Sequence, residues 1–369
     1  MHPCSRRKFL KRSASLVVAS SLASIPSQLL ASKPILEYER GGMRYRRLGK
    51  TDLFVSALSI GSHVDPAFKK PAKHGTVLTP EGQDIRDRQL VRAFDLGVNM
   101  VDTYENMGQW EPVARVVKDR RDKVLVSICR QFSMLVGENI DMAAKLCGGY
   151  VDMYRIYLHN FDDRQLELWD ALRRAKAAGK VRAIGISLHN EDIMLKAVNE
   201  LEGLDYILFP YNFIHARGDY SKSLPAAIKK QIGLIAIKPL AAGSIVRLDP
   251  TAAPASKPET EQTEMWRKNR KTLLPSVVAA LTKDLDQTPN ESLCQAALRF
   301  VYSRPFITSA MPGIFKDHEL TENHAALQHH LKVGSVHSPA LENARRLAKL
   351  SGDRWLPEHY RWLDKQWLA

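Results

Sequence analysis

Four histidines each closely follow a short apolar run: His63, His159, His189 and His215. Neutral imidazoles gathered with Asp102 or Glu105 have the donor chemistry to bind zinc or a similar metal. The ends of apolar strands also gather polar side chains without a metal, and no metal ligand is assigned. The four cysteines, Cys4, Cys129, Cys147 and Cys294, match no zinc or iron–sulfur spacing. Cys4 lies in a leader, which leaves three. An odd number argues against a disulfide framework and for buried thiols.

The elements that must position these residues are short. Apolar runs occur at Ala57–Gly61, Asn99–Asp102, Val124–Ile128, Met153–Leu158, Ala183–Ser187, Tyr206–Phe209, Leu234–Lys238 and Phe306–Ala310. They are rich in Val, Ile and Leu and lack clean alternation, as expected of parallel strands covered on both faces. Between them lie helical patterns. Asp87–Asp95 and Leu166–Ala178 carry apolar residues at three- and four-residue spacing, and Gly179 stops the second. Alternating strands and helices imply an α/β fold with a parallel sheet, and eight such units favour a closed (β/α)8 TIM barrel. The histidines would then share one mouth. Arg44–Leu53 reads as an N-terminal hairpin beneath the barrel. Asp249–Gln262, rich in Pro, Ala, Thr and Glu, reads as a long loop after strand 7, either a lid or a solvated connection. From Leu331 a helical tail carries Trp355, Trp362 and Trp367. The expected organisation is a leader over 1–31, a linker over 32–42, the barrel over 43–330 and the tail over 331–369.

The leader opens Ser5-Arg6-Arg7-Lys8-Phe9-Leu10-Lys11, followed by an apolar, Ser/Ala-rich stretch from Ala14 to Leu30. A charged start and a short apolar run describe a secretory signal. The run is shorter than the roughly 20 apolar residues of a spanning helix and is broken by Pro26. The paired arginines with Phe-Leu-Lys resemble the twin-arginine export signal. That implies transport of the folded chain by the twin-arginine translocation machinery, a periplasmic location, and no stable membrane span once the leader is removed. Cleavage after Ala31 would leave Leu29 where a small residue is usual, so a retained anchor is the other reading. Folded export suits a cofactor inserted beforehand.

The formal net charge is +14. Arg6, Arg7, Lys8, Lys11 and Arg12 supply five of those charges, so the chain beyond the leader keeps about +9. No Lys/Arg run is interleaved with aromatics as a nucleic-acid surface would require. A diffuse positive field suits anionic ligands, phosphorylated cofactors among them.

Six motifs in order resemble the aldo-keto reductases. They are Met43–Thr51 with Val55-Ser56 and Ile60-Gly61; Gly97–Thr103; Tyr150–Tyr154 through Leu158-His159; Gly179–Ser187; Lys238-Pro239-Leu240 with Gly243; and Met311-Pro312-Gly313 with Leu320 and Asn323. The resemblance runs from Met43 to Leu327. It implies a (β/α)8 barrel that binds NADP at the carboxyl ends of its strands and reduces a small-molecule carbonyl substrate. In that chemistry a tyrosine hydroxyl gives the proton, a lysine and an aspartate tune it, and a histidine orients the carbonyl. A phenol with a pKa near 10 needs a cation before it can work near neutral pH.

The resemblance carries the aspartate to Asp102 and the histidine to His159. The tyrosine position falls on Met107 and the lysine position on Cys129, with Arg130 beside it. Met107 cannot donate a proton. Two polar partners of the nicotinamide amide become Leu188 and Leu208. Each lost hydrogen bond would cost roughly 1 kcal/mol. Ser187, Lys238, Pro239, Leu240, Gly243, Gly313, Lys316 and Asn323 remain as candidate cofactor-binding residues. Tyr104 is a candidate replacement acid with Arg130 as its cation; the other reading is that Tyr104 packs and Arg130 pairs with a carboxylate such as Asp102. The expectation is an exported, NADP-dependent oxidoreductase with a non-standard site. A non-catalytic binding protein on a reductase scaffold and a metal-dependent enzyme are its alternatives.

Overall fold

The computed structural model describes residues 35–73, 75–104, 108–130, 136–212, 222–240 and 287–328, the side chains of Arg130 and Val136 excepted. The leader, Glu105, Met107, His215, Gly243, the 249–262 loop and the tail from Leu331 lie outside the described residues.

The chain begins with a three-stranded antiparallel sheet of β1 (Glu37–Arg40), β2 (Met43–Arg47) and β3 (Phe54–Ser56). The hairpin expected at Arg44–Leu53 is therefore joined by an extra edge strand, which falls in the stretch read as linker. Leu48, Leu53 and Val55 are buried in the inner core and close the floor. Two ties hold the sheet there. Arg46 donates to the carbonyls of Ile307 and Tyr302, both at 2.8 Å, and the Tyr45 hydroxyl donates to the Gly97 carbonyl at 2.8 Å. Gly49, at φ +54°, lies where an added Cβ would stand 2.4 Å from Gln231 O and Gly233 N, so only glycine admits this approach.

A small hairpin of β4 (Lys69–Ala72) and β5 (Gly75–Leu78) precedes the first helix, α1 (Pro80–Asp95). Pro80 suits the first helical turn, and the Thr79 hydroxyl caps it by accepting from Gly82 N. The alternation then runs β6 (Met100–Tyr104), α2 (Trp110–Val117), β7 (Leu125–Arg130), α3 (Val136–Leu146), β8 (Val151–Tyr157), α4 (Asp163–Ala177), β9 (Val181–Ser187), α5 (Glu191–Glu200), β10 (Tyr206–Pro210), α6 (Ser223–Lys229), β11 (Gly233–Ile237), α7 (Leu293–Tyr302), β12 (Ser309–Met311) and α8 (Asp317–Ala325). Gly179, at φ +74°, ends α4 as its place after the last apolar residue suggests.

Strands β6 to β12 form one parallel sheet in chain order. Ala57–Gly61 closes it. Leu58 bridges to Ala310 on one side and Ile60 to Val101 on the other, both parallel. Four backbone bonds make this seam: Ser59 N to Ala310 O, Ala310 N to Ala57 O, Ile60 N to Met100 O and Asp102 N to Ile60 O, at 2.8–3.2 Å. A segment this short makes only alternate contacts on each side, so it forms bridges rather than a ladder. The result is a (β/α)8 barrel. Its apolar side chains divide into two clusters. Met100, Met153, Ala183, Tyr206, Leu208, Ile235, Ile237 and Met311 fill the interior. The larger cluster, including Leu90, Val126, Ile156, Leu172, Ile186 and Leu298, lies between sheet and helices.

Candidate active site

Side chains alternate along a strand, so those two residues beyond an interior residue also face inward. From Met100 the next inward positions are Asp102 and Tyr104; from Met153 they are Arg155 and Tyr157; from Ala183 they are Gly185 and Ser187. Gly185 makes room for a neighbour, since a Cβ there would lie 2.6 Å from the Tyr206 ring.

Deep in the barrel Asp102 and Arg155 form a two-pronged ion pair. One guanidinium nitrogen of Arg155 meets Asp102 Oδ1 and the other donates to Oδ2 at 2.8 Å. Neither side chain has any solvent exposure. The Ser127 hydroxyl donates to Asp102 Oδ1 at 2.7 Å and accepts from Arg155 at 3.0 Å. Burial alone would depress the Arg155 pKa, but the carboxylate overrides it and holds the pKa well above the usual value. Arg155 also lies 5.2 Å from the centre of the Tyr104 ring. Burial raises the Tyr104 pKa, and Arg155 offsets this only in part. The described cation beside Asp102 and Tyr104 is thus Arg155 on β8. Cys129, at the lysine position, is a fully buried thiol.

Nearer the mouth a second polar chain crosses three strand ends. The Tyr157 hydroxyl is 2.5 Å from His189 Nδ1, and His189 Nε2 is 2.6 Å from Lys238 Nζ. Tyr157 ends β8, His189 follows β9, and Lys238 follows β11. Lys238 sits at φ +53°, a strained backbone for a non-glycine residue. The Asn212 side chain holds it by donating to its carbonyl at 3.2 Å. Burial pushes the Lys238 ammonium down to about 7 and the Tyr157 phenol up to about 12. Burial, then the Lys238 charge, lowers the His189 pKa far below the usual imidazole range. His159 is exposed and packs its ring 4.2 Å from that of Tyr157. His63 lies 6.0 Å from the Tyr104 ring. Among the described residues no three metal-ligating side chains come together.

The candidate cofactor residues divide between two places. Ser187 is buried in the barrel, Pro239 is buried, and Leu240 is half-buried against the outer core. Leu188 turns into the outer core and Leu208 into the inner one, so the two leucines do not share a wall. Gly313 and Lys316 lie in the turn from β12 into α8, and Asn323 lies further along α8. A Cβ at Gly313 would have no neighbour closer than 3.7 Å, and Lys316 is exposed at the helix N-terminus. Asn323 is buried with no partner for its Nδ2 among the described residues. Beside them Arg86 is buried at 2 % exposure. Its hydrogen bonds go to the Gly61 carbonyl and the Gln89 side chain, and Gln89 in turn donates to Phe315 O and Asp317. Among the described residues no carboxylate pairs with Arg86. Burial lowers the Arg86 pKa to about 10 and the Asp87 charge offsets this only in part, so this arrangement fits an anionic ligand. Glu319 competes in part, because its carboxylate accepts from the Phe315 and Lys316 amides at 2.6 and 3.1 Å.

Arg86, Arg155 and Tyr157 were not singled out by motif, although two carried a signal. Arg86 falls on the buried face of α1 with Gly82, Gln89, Leu90 and Ala93, where an arginine is out of place. Arg155 is a charged residue in a run of buried residues in β8. Tyr157 was hidden by its neighbour His159. The ion pair predicts a structural penalty. Asp102→Asn should lower stability by about 3–5 kcal/mol in urea unfolding, because it strands the Arg155 charge. Adding Arg155→Met should restore part of that loss. A single variant as stable as the parent would show that the pair is not closed in solution.

The aldo/keto reductase family model matches residues 79–337. The chain is 27% identical over 325 residues to L-glyceraldehyde 3-phosphate reductase of Escherichia coli O157:H7, covering 78% of this chain and 88% of that one. It is 24% identical over 302 residues to L-galactose dehydrogenase of Arabidopsis thaliana, covering 76% and 87%. Among solved structures it resembles the aldo-keto reductase AKR11C1 from Bacillus halodurans, with a TM-score of 0.58 at 17% identity, covering 86% of this chain and 99% of that one. The thermostable aldo-keto reductase Tm1743 gives a TM-score of 0.58 at 18% identity, covering 82% and 99%. The fold, the strand-end polar site and the family match together place this chain in the aldo/keto reductase family of oxidoreductases.

Proposed function

We propose that the chain is an exported, NADP-dependent oxidoreductase that interconverts a small carbonyl compound and its alcohol through a non-standard set of side chains. The observation that carries the nucleotide is Arg86, a buried guanidinium with no carboxylate partner among the described residues, linked through Gln89 to the turn before α8. Asn323 Nδ2 and Lys316 complete a basic, donor-rich edge that would hold the cofactor phosphates. A bound reduced nicotinamide would supply hydride at the barrel mouth, where the interior side chains Tyr104, Tyr157 and Ser187 emerge. The names of the curated relatives, an L-glyceraldehyde 3-phosphate reductase and an L-galactose dehydrogenase, support a small polyhydroxylated carbonyl as substrate. A second reading, a non-catalytic binding protein on the same scaffold, draws support from Asp102, whose two oxygens are both taken by Arg155.

Two measurements test this. Titration of the full chain with NADPH, followed by nucleotide fluorescence, should show saturable binding. Arg86→Met should weaken it by roughly 10- to 100-fold, the worth of a hydrogen bond to a charged group. A parent that ignores both NADPH and NADH would leave the binding-protein reading. For export, replacing Arg6 and Arg7 together by lysine should retain the chain in the cytoplasmic fraction of a host with a working twin-arginine system. Unchanged export of that variant would remove the twin-arginine assignment.

A further inference from the structure

The chain of contacts from Tyr157 through His189 to Lys238 has a direction that bonding rules impose. An ammonium has three hydrogens and no lone pair, so a charged Lys238 can only donate to His189 Nε2. The neutral ring then carries its hydrogen on Nδ1 and donates it to the Tyr157 oxygen. The phenol hydrogen is left to point away from the ring, towards the mouth. If Lys238 is neutral it can accept instead. The ring hydrogen then sits on Nε2, Nδ1 accepts from the phenol, and Tyr157 turns an oxygen lone pair to the mouth.

We propose that the Tyr157 hydroxyl is the group that gives a proton to, or takes one from, the substrate oxygen, and that the charge on Lys238, read through the His189 ring, sets which of the two it is ready to do. The proposal rests on the oxidoreductase reading above and names its acid–base residue. In the reducing direction hydride reaches the carbonyl carbon, the carbon–oxygen π pair moves to oxygen, and that oxygen takes the Tyr157 hydrogen. The phenol oxygen takes the Nδ1 hydrogen of His189. Nε2 takes one from Lys238, which is left neutral and regains a proton from water. Every hydrogen is accounted for, and the end state is the second arrangement described above. Tyr157 is the catalytic residue here; His189 and Lys238 are positioning residues.

The surroundings suit the switch. Burial brings Lys238 to about 7, so both charge states are populated near neutral pH. The ring between stays neutral because burial and the adjacent ammonium disfavour its cation. Among the described residues, Cys129 on β7 adds to the burial that raises the Tyr157 pKa, and His159 adds to the burial and the Lys238 charge that lower that of His189. Burial, then the charges of Lys69 and Lys238, lowers the pKa of His63 to about 4.

The test begins with 15N nuclear magnetic resonance of the histidine rings in the full chain, with His189→Gln used to assign the signal. As pH rises through about 7 the His189 hydrogen should move from Nδ1 to Nε2, and Lys238→Met should abolish that step. A ring that keeps one tautomer between about pH 5 and 9 overturns the switch. Tyr157→Phe should lower turnover by about 10²- to 10⁴-fold, the usual worth of a general acid, with NADPH binding unchanged. Parent-like turnover in that variant overturns the donor assignment. Failure of the parent to bind NADPH would count against the oxidoreductase reading alone, since the ring measurement needs no cofactor.

Discussion

Inside the barrel a carboxylate and a guanidinium face each other with no solvent exposure, and the rest of the interior is arranged around that contact. Asp102 and Arg155 come from β6 and β8, and Ser127 on the intervening strand β7 bonds to both. Three neighbouring strands are thus fixed in register by side chains as well as by their backbone ladder. Gly185 supplies the space that Tyr206 needs in the same interior. Because each charge is fully desolvated, neither can be removed or reoriented alone without exposing the other to an apolar interior. The pair is therefore best understood as architecture. That frees the mouth above it to be built from a different set of titratable groups.

This division separates two functions that a single cluster could have shared. The lower layer holds its charge permanently, since Asp102 sustains the cationic form of Arg155. The upper layer of Tyr157, His189 and Lys238 holds groups whose burial pushes each toward its neutral form. A neutral, hydrogen-bonded chain can shift its hydrogens with little reorganisation, whereas a locked ion pair cannot. The strained backbone of Lys238 and the Asn212 contact show that the main chain at this residue is held in place by its surroundings.

The barrel was legible because its strands are apolar runs of the right length between helical patterns, and seven of the eight fall in the parallel sheet. The first shows as bridges, since Ala57–Gly61 is too short for a continuous ladder. The β4–β5 hairpin left no trace in the pattern: Lys69–Ala72 and Gly75–Leu78 are mostly exposed, so no apolar alternation marks them. At the site, the resemblance to the aldo-keto reductases picked out Asp102, His159 and Lys238, while Tyr104 and His189 were picked out by position, because loops after parallel strands meet at one face. Their partnerships could not. Which cation answers Asp102 depends on the register of β6 against β7 and β8. A residue such as Arg155 reads in sequence only as a charge misplaced in a buried strand. His189 stood out as one of four histidines that follow apolar runs, yet its two nitrogens face a phenol and an amine.

Burying Lys238 ties the stability of the fold to proton uptake. The unfolded chain would hold that proton up to the ordinary lysine range, while the folded chain releases it near 7. Between those two values the unfolded state binds the extra proton, so this residue makes the fold more stable as pH rises through that window. Below about 7 both states are charged, and the fold carries the penalty of a partly desolvated ammonium. The barrel mouth is consequently at its least secure in acid, in the same charge state that turns the Tyr157 hydrogen outward. Readiness to donate and resistance to unfolding are set against each other by a single amine.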